Sequence, residues 1–236
     1  MSPSELFLNR LKAGSFTRVV AFGSSNTERR IAGMHWFDCF ELSCRSTCGP
    51  ITSFINSGRG GDSTIDLLNR IERDCLNHQP HLAFITVGGN DSNPKKNISL
   101  AIYRDNLHQI VSRLQAQGAL PVLQTYYAMD LPKMDPEHAT AFLEMMEIVR
   151  EVARETGCML IDHLVRWEAL RLRYNDRFLQ LLGDPMHVNA LGNLVLGLDI
   201  TRAFNLRLPD DACFREAELT QSLLDLLVET GNSPCR

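Results

Sequence analysis

Two neighbouring serines, Ser24 and Ser25, follow an apolar run at residues 19–22 and the glycine Gly23. Glycine and serine are common in the turn after any buried strand, and serine also caps helices, so the pair alone does not distinguish a turn from a nucleophile. A serine hydroxyl becomes nucleophilic when a general base lies within hydrogen-bond reach. The identity of such a base must come from elsewhere in the chain.

A histidine and an aspartate that suit this chemistry lie late in the chain, in the segment GDPMHVNALGN. Histidine titrates near neutral pH, so His187 is a candidate to remove a serine proton. Asp184, three residues earlier, is placed to hold the imidazole tautomer and to stabilise its charged form. Such pairs are common, so the prediction depends on further groups that meet in the same place.

The elements that would position these residues follow from alternating apolar runs and helical segments. Five apolar runs have the length of strands that are buried on both faces, at residues 19–22, 51–55, 82–87, 120–125 and 158–162. Segments of helical period separate them, which predicts a parallel sheet between helices, a three-layer α/β/α fold. Ligands bind at the carboxyl edge of such sheets. The serine pair, the segment NSGRGGDST at 56–64 and the segment GGND at 88–91 all leave that edge.

Each of these loops has a structural alternative. SGRGGDS lacks the lysine and the spacing of a phosphate-binding loop, and it does not fit the GxGxxG pattern. Asp62 and Ser63 suit a helix cap, and Asn90 and Asp91 suit a tight turn. The groups that are expected together at one sheet edge nevertheless indicate an active site: Ser25, Gly61, Asn90, Asp184 and His187.

Four segments resemble, in order and spacing, the signature blocks of the SGNH hydrolases, also called the GDSL esterase/lipase family. FGSSNT resembles the G-D-S-x-T block and places Ser25 at the nucleophile, with Ser24 where the family has aspartate. NSGRGGDST resembles the N-x-G-x-x-G block, GGND the G-x-N-D block and DPMHVNALGN the D-x-x-H block. The resemblance implies a flavodoxin-like five-stranded sheet of order 2-1-3-4-5. It also implies an oxyanion hole made by the backbone N–H groups of Ser25 and Gly61 and the side-chain amide of Asn90.

The activity that this resemblance implies is that of a serine esterase, with Ser25, Asp184 and His187 as catalytic residues and an acyl-serine intermediate. The preferred substrate is a small acyl ester, such as an O-acetyl group on a carbohydrate. A lysophospholipase or a thioesterase is an alternative within the family. A catalytically silent binding protein is the alternative from another class, and the missing aspartate is the feature that suggests it.

Three further residues are predicted to contact substrate. Arg59 lies in the glycine-rich segment, and Tyr126 and Tyr127 follow the fourth apolar run. A tyrosine at a strand end also commonly packs in the core. An adjacent acid and base, Asp162 and His163, are interpreted as structural, because neighbouring residues at a strand end point in different directions.

Composition limits the class of protein. The chain has 236 residues, of which 44% are hydrophobic, which suits a single domain over 1–236 with a short helix at 3–13 and a helical segment at 188–236. A net charge of −4 with interspersed signs argues against nucleic acid as a partner, and no apolar run approaches the length of a membrane span. The expected partner is a small-molecule ester.

Cysteine usage indicates a reducing compartment. The seven cysteines show no CxxC pair, and no secretory signal is visible, so we expect a cytoplasmic protein without a disulfide framework. Cys39, Cys44 and Cys48 lack the histidines that would complete a zinc site, and neither a metal nor a cofactor is expected.

Overall fold

A computed structural model describes residues 1–210 and 212–231. At its centre is a sheet of five parallel strands in the order β2-β1-β3-β4-β5, which confirms the predicted topology. The strands overlap the five apolar runs, although β2 extends three residues beyond its run, and they are β1 Thr17–Gly23, β2 Thr52–Gly58, β3 Leu82–Thr86, β4 Leu120–Gln124 and β5 Met159–Ile161. The strand β3 is buried along its whole length, as expected of an interior strand that helices cover on both faces.

Helices form the outer layers of this three-layer α/β/α fold. Their bounds are α1 Pro3–Lys12, α2 Trp36–Cys48, α3 Thr64–Asp74, α4 Leu100–Ala116, α5 Pro136–Thr156, α6 His163–Arg173, α7 Asn175–Leu179, α8 Ala190–Ala203 and α9 Arg215–Gly231. The helices α3, α4 and α5 pack side by side, and α2, α8, α9 and α6 pack in a second series. No helix in the described part of the chain is long and apolar enough to cross a membrane.

Aromatic rings connect the N-terminal helices to the sheet. The ring of Phe40 in α2 lies 5.0 Å, between centroids, from both Phe84 of β3 and Phe204. Phe7 of α1 stacks on Phe40 at 5.8 Å and meets Phe204 at 5.4 Å. Each buried ring removes roughly 150–250 Å² of surface from water, so this cluster anchors α1 and α2 against the sheet.

The C-terminal part differs from the prediction of a helical segment over 188–236. A two-stranded antiparallel hairpin, β6 Leu182–Asp184 and β7 His187–Val188, precedes α8, and residues 204–210 between α8 and α9 are not helical. Strands of two or three residues have too few side chains to form a periodic pattern, so periodicity does not reveal them. Residues 211 and 232–236 of the predicted segment lie outside the described residues.

Three cysteines, two in α2 and one directly after α3, lie in the core. Cys39, Cys44 and Cys75 are buried free thiols, and burial raises the pKa of Cys39 and that of Cys75 to about 12. A thiol in such surroundings stays protonated and packs as a small hydrophobic group.

Candidate active site

Ser25 lies in the turn after β1, at the carboxyl edge of the sheet. The Thr27 N–H donates to the Ser24 carbonyl at 3.0 Å, so the chain folds back directly after the strand. Gly23 has no room for a side chain, because a Cβ there would lie 2.3 Å from Thr27 Oγ1 and 2.5 Å from the Thr86 carbonyl oxygen. This close packing leaves the Ser25 side chain half-buried at the edge of the sheet.

The β6–β7 hairpin carries Asp184 and His187, which pair across it. His187 Nε2 lies 2.9 Å from Ser25 Oγ, and His187 Nδ1 lies 2.8 Å from each carboxylate oxygen of Asp184. An ionised carboxylate only accepts hydrogen bonds, so Nδ1 donates to Asp184 and Nε2 accepts from the Ser25 hydroxyl. The structure therefore brings these three predicted residues into one hydrogen-bonded chain.

The charge of Asp184 is stabilised locally. Burial raises the pKa of this carboxyl group, but the Met186 N–H, which donates to Oδ1 at 2.9 Å, and the adjacent His187 ring lower it. The pKa of Asp184 consequently lies below its ordinary value. The carboxylate therefore stays ionised at neutral pH.

The segment after His187 packs helix α8 onto the hairpin. The Asn189 side chain caps α8 by accepting from the Gly192 N–H at 3.0 Å, and its Nδ2 donates to the Leu182 carbonyl at 3.2 Å. A Cβ at Gly192 would lie 2.3 Å from the Leu181 carbonyl oxygen, so only glycine allows this approach. The helix start and the hairpin are thus held as one unit.

Gly61 and Asn90, which the resemblance assigns to the oxyanion hole, lie in the loops after β2 and β3. Gly61 has a φ of +83°, in the left-handed region that favours glycine. One N–H of the Asn90 amide donates to the Asp62 carbonyl at 2.9 Å, which leaves its second N–H for a ligand. Within residues 1–210 and 212–231, the backbone N–H groups of Ser25 and Gly61 donate to no other residue. These three N–H groups therefore have no protein acceptor within the described part of the chain.

A buried arginine, Arg70 of α3, braces these loops, and no sequence motif reveals it. Its guanidinium donates to the carbonyls of Gly23 at 3.0 Å and Ser57 at 2.9 Å, and to Asp62 Oδ2 at 2.6 Å. Arg70 therefore joins the ends of β1 and β2 to the glycine-rich loop. The sequence signal for this role is a charged residue within the buried face of a helix.

Asp91 joins the GGND loop to the start of α3. Its Oδ1 accepts from the Thr64 backbone N–H at 2.8 Å and from the Thr64 hydroxyl at 2.5 Å. Burial raises the pKa of Asp91 above its ordinary value even though the Thr64 hydrogen bonds lower it. This buried contact holds the neighbouring Asn90 against the loop that contains Gly61.

An open cavity of about 280 Å³ adjoins Ser25 and His187. The turn after β1 and the loop that follows it form one wall, and the hairpin and the start of α8 form the other. The lining is mixed, with the charged Glu28 and Arg30 beside the apolar Ile31. Gly61 and Asn90, which the resemblance assigns to the oxyanion hole, do not line the cavity. The cavity therefore lies on the His187 side of Ser25.

The residues predicted to contact substrate do not line this cavity. Tyr126 and Tyr127 are each 2% exposed, which corrects the prediction that they form a substrate pocket. The loop after β4 turns inward, and the ring of Tyr127 packs 5.2 Å from that of Trp167 in the core. Arg59 is exposed outside the cavity, and its backbone N–H donates to the Gly23 carbonyl at 3.0 Å.

Acidic and histidine side chains after β5 have structural partners. Asp162 caps α6 and accepts hydrogen bonds from Arg150 at 2.7 and 3.0 Å. His163 lies 3.2 Å from Asp199 and 3.1 Å from Gln124, in the core. Among the described residues, no three or more His, Cys, Asp or Glu side chains form a group that could hold a metal ion.

Solved structures of other proteins share this fold. The acetyl xylan esterase AlAXEase is 23% identical with a TM-score of 0.69, and the match covers 79% of this chain and 98% of that protein. Axe2, an acetylxylan esterase from Geobacillus stearothermophilus, is 20% identical with a TM-score of 0.70 over 84% of this chain and 99% of its own. A lipase/acylhydrolase from Enterococcus faecalis is 25% identical with a TM-score of 0.66 over 83% of this chain and 100% of its own.

Sequence comparison identifies both a relative and a family. The uncharacterized lipoprotein YqeF of Bacillus subtilis (strain 168) is 29% identical over 118 residues, which is 45% of this chain. This chain spans about half, 47%, of the length of that relative. Residues 21–195 match the GDSL-like Lipase/Acylhydrolase family, a range that contains all four sequence blocks and the whole hydrogen-bonded chain from Asp184 to Ser25. The protein therefore belongs to the GDSL-like Lipase/Acylhydrolase family, as its resemblance to the SGNH hydrolases predicts.

Proposed function

We propose that this protein is a serine esterase that hydrolyses small acyl esters, with O-acetyl groups of carbohydrates as the substrate class. The observation that carries the proposal is the unbroken chain from Asp184 through His187 to Ser25, with contacts of 2.8 and 2.9 Å, beside an open cavity. Its geometry supports transfer of the serine proton without any side-chain rearrangement.

In the acylation step, Ser25 Oγ attacks the carbonyl carbon of the ester while His187 Nε2 takes the hydroxyl proton. Asp184 stabilises the imidazolium that forms. The N–H groups of Ser25 and Gly61 and the Asn90 amide donate hydrogen bonds that stabilise the negative charge on the former carbonyl oxygen. His187 then gives its proton to the leaving-group oxygen of the ester, and the carbon–oxygen bond breaks. The alcohol departs, and the acyl group remains bound to Ser25.

In the deacylation step, a water molecule takes the place of the alcohol. His187 removes one proton from this water as its oxygen attacks the acyl carbon, and the same donors hold the second oxyanion. When the bond to Ser25 Oγ breaks, His187 returns the proton to the serine. The products are a carboxylic acid and the original enzyme.

The cavity supports a small, polar alcohol as the leaving group. It lies on the side of Ser25 where His187 protonates the departing oxygen, and its volume of about 280 Å³ is near the lower end of the range for small-molecule pockets. Its charged side chains, from Glu28 and Arg30, suit a sugar better than a lipid chain. The names of two structurally similar proteins, both acetylxylan esterases, also favour a carbohydrate acetate.

A series of p-nitrophenyl esters from acetate to laurate tests the acyl group, and release of acetate from acetylated xylan tests the alcohol. We expect the largest kcat/KM with acetate. A maximum with long chains would instead indicate a lysophospholipase or thioesterase. Absence of turnover with every ester would indicate a binding protein on the same scaffold.

Covalent labelling tests the nucleophile independently of the substrate. A fluorophosphonate should modify Ser25, because a base-activated serine attacks the phosphorus centre. Peptide mass spectrometry should find the adduct on Ser25 in the wild type and in Ser24→Ala, and no adduct in Ser25→Ala. An adduct on another residue would contradict the assignment.

A further inference from the structure

The hydroxyl of Tyr127 lies between the turn that carries Ser25 and the hairpin that carries His187. Its single proton has two acceptors within reach, the Met186 carbonyl oxygen at 2.6 Å and Asn26 Oδ1 at 2.8 Å, and its oxygen accepts from the Val188 N–H at 3.0 Å. Met186 and Val188 flank His187 on either side, and Asn26 directly follows Ser25. One buried oxygen atom thus touches the backbone on both sides of the base and the residue next to the nucleophile.

The ring that carries this hydroxyl is fixed in the core. It is 2% exposed and packs 5.2 Å from Trp167 and 6.2 Å from Tyr126, between ring centroids. Burial raises the pKa of Tyr127 well above its ordinary value, so the phenol keeps the proton that it donates. The same loop holds the hairpin at a second point, because the Asp130 N–H donates to the Pro185 carbonyl at 3.0 Å.

We propose that Tyr127 is a positioning residue that sets the distance and angle between His187 and Ser25. This inference rests on the proposed esterase activity. A two-residue strand such as β7 has few ladder hydrogen bonds of its own, so its placement depends on outside partners. The Tyr127 hydroxyl is such a partner, and it also contacts the turn that carries Ser25. Small errors in the distance between a base and its nucleophile greatly reduce the rate of catalysis.

Tyr127 does not line the cavity, so its effect should fall on the chemical step rather than on substrate binding. Removal of the hydroxyl leaves the Val188 N–H without its acceptor and loosens the hairpin relative to Ser25. We therefore expect Tyr127→Phe to lower kcat by about 10- to 100-fold with little change in KM, a loss on the scale of one or two buried hydrogen bonds.

Tyr103→Phe is the matched control. Tyr103 is also a fully buried tyrosine, and its hydroxyl donates to one backbone carbonyl, that of Val87, at 3.0 Å, away from the hairpin. Both variants lose a buried hydroxyl, and Tyr127→Phe should lose more thermal stability, because its hydroxyl contacts three groups and that of Tyr103 contacts one. Titration of active sites with a fluorophosphonate gives the number of competent molecules, so kcat is expressed per titrated site, and the rate of that labelling is a second readout of Ser25 activation.

A second variant protects the test against misfolding. Incorporation of 4-fluorophenylalanine at position 127 fills the space of the hydroxyl but cannot donate a hydrogen bond to the Met186 carbonyl. It should lower kcat per titrated site and the labelling rate as Tyr127→Phe does. If Tyr127 had a merely structural role, both changes at position 127 would lower the unfolding temperature and the number of titrated sites, but kcat per titrated site would equal that of Tyr103→Phe. This result would overturn the proposal.

The outcomes also separate this inference from the esterase proposal. If the wild type hydrolyses no ester and takes no label, the proposed function fails. If the wild type is active, Ser25→Ala is inactive and both changes at position 127 retain the kcat of Tyr103→Phe, only the positioning role of Tyr127 fails.

Discussion

The Ser24 Oγ lies 2.7 Å from the Tyr126 hydroxyl, and both side chains are buried. Its neighbour Ser25 is half-buried and meets His187 Nε2 at 2.9 Å instead. Successive side chains at the end of a strand point in different directions, so two chemically identical residues have different surroundings. The position that holds aspartate in the family is thus occupied here by a hydroxyl with a buried structural partner.

Alanine substitution should separate the two serines. We expect Ser25→Ala to lower kcat by about 10⁴- to 10⁶-fold with little change in unfolding temperature. Ser24→Ala removes one buried hydrogen bond, worth about 1 kcal/mol, and should cost at most about fivefold in kcat. Steady-state kinetics of both variants measure kcat, and thermal unfolding measures their stability. Comparable loss of kcat in the two would contradict Ser25 as the sole nucleophile.

Asp184→Asn should remove the carboxylate that orients the His187 ring and stabilises its protonated form. We expect kcat to fall by about 10⁴-fold, because the amide can donate to Nδ1 and stabilise the wrong tautomer. The pKa of Asp184 lies below its ordinary value, so in the wild type this carboxylate stays ionised above about pH 4. The acid side of the wild-type kcat/KM profile should accordingly show the uptake of one proton above that pH. A slope of two protons would mean that Asp184 titrates together with the base.

Asn90→Ala should remove a donor to the oxyanion and lower kcat by about 10²- to 10³-fold with a smaller change in KM. Asn93→Ala is the control, since Asn93 lies in the same loop and its side chain accepts from the Lys95 N–H at 3.0 Å. We expect its kinetics to match the wild type. If both variants lost the same activity, the effect would come from the loop and not from the Asn90 amide.

Asp162 should stabilise the fold in a pH-dependent way. Burial raises the pKa of this carboxyl group, but the hydrogen bonds and charge of Arg150 lower it, so the folded-state pKa lies below the ordinary value. The resulting stability is present above the unfolded pKa of about 4 and is lost as the pH falls through the lower folded pKa.

Thermal unfolding of wild type and Asp162→Asn between pH 7 and pH 3 measures this contribution. We expect the variant to be less stable at neutral pH, by roughly 1–3 kcal/mol as for other hydrogen bonds to charged groups, with a difference that shrinks below about pH 4. Arg150→Gln removes the other partner and should show the same trend. A deficit that is equal at every pH would contradict the role of the ion pair.

The sequence by itself determined the sheet and the loops that meet at its edge. Strands that are buried on both faces must be continuous apolar runs, and parallel strands place their carboxyl ends together. The four blocks therefore predicted that the segments containing Ser25, Gly61, Asn90 and His187 leave one side of the fold. The i, i+3 spacing of Asp184 and His187 in one short segment made their pairing predictable as well.

Only the tertiary structure decided the roles of the two tyrosines and of Arg70. Tyr127 contacts Asn26, 101 residues earlier, and Met186, 59 residues later, while Arg70 reaches the Gly23 carbonyl across 47 residues. These contacts depend on which direction a loop turns and which face of a helix packs inward, and neither is encoded in residue type or spacing. A tyrosine at a strand end suits a substrate pocket and a buried brace equally well, because its ring is apolar and its hydroxyl bonds to whichever polar group the packing of distant segments brings within reach.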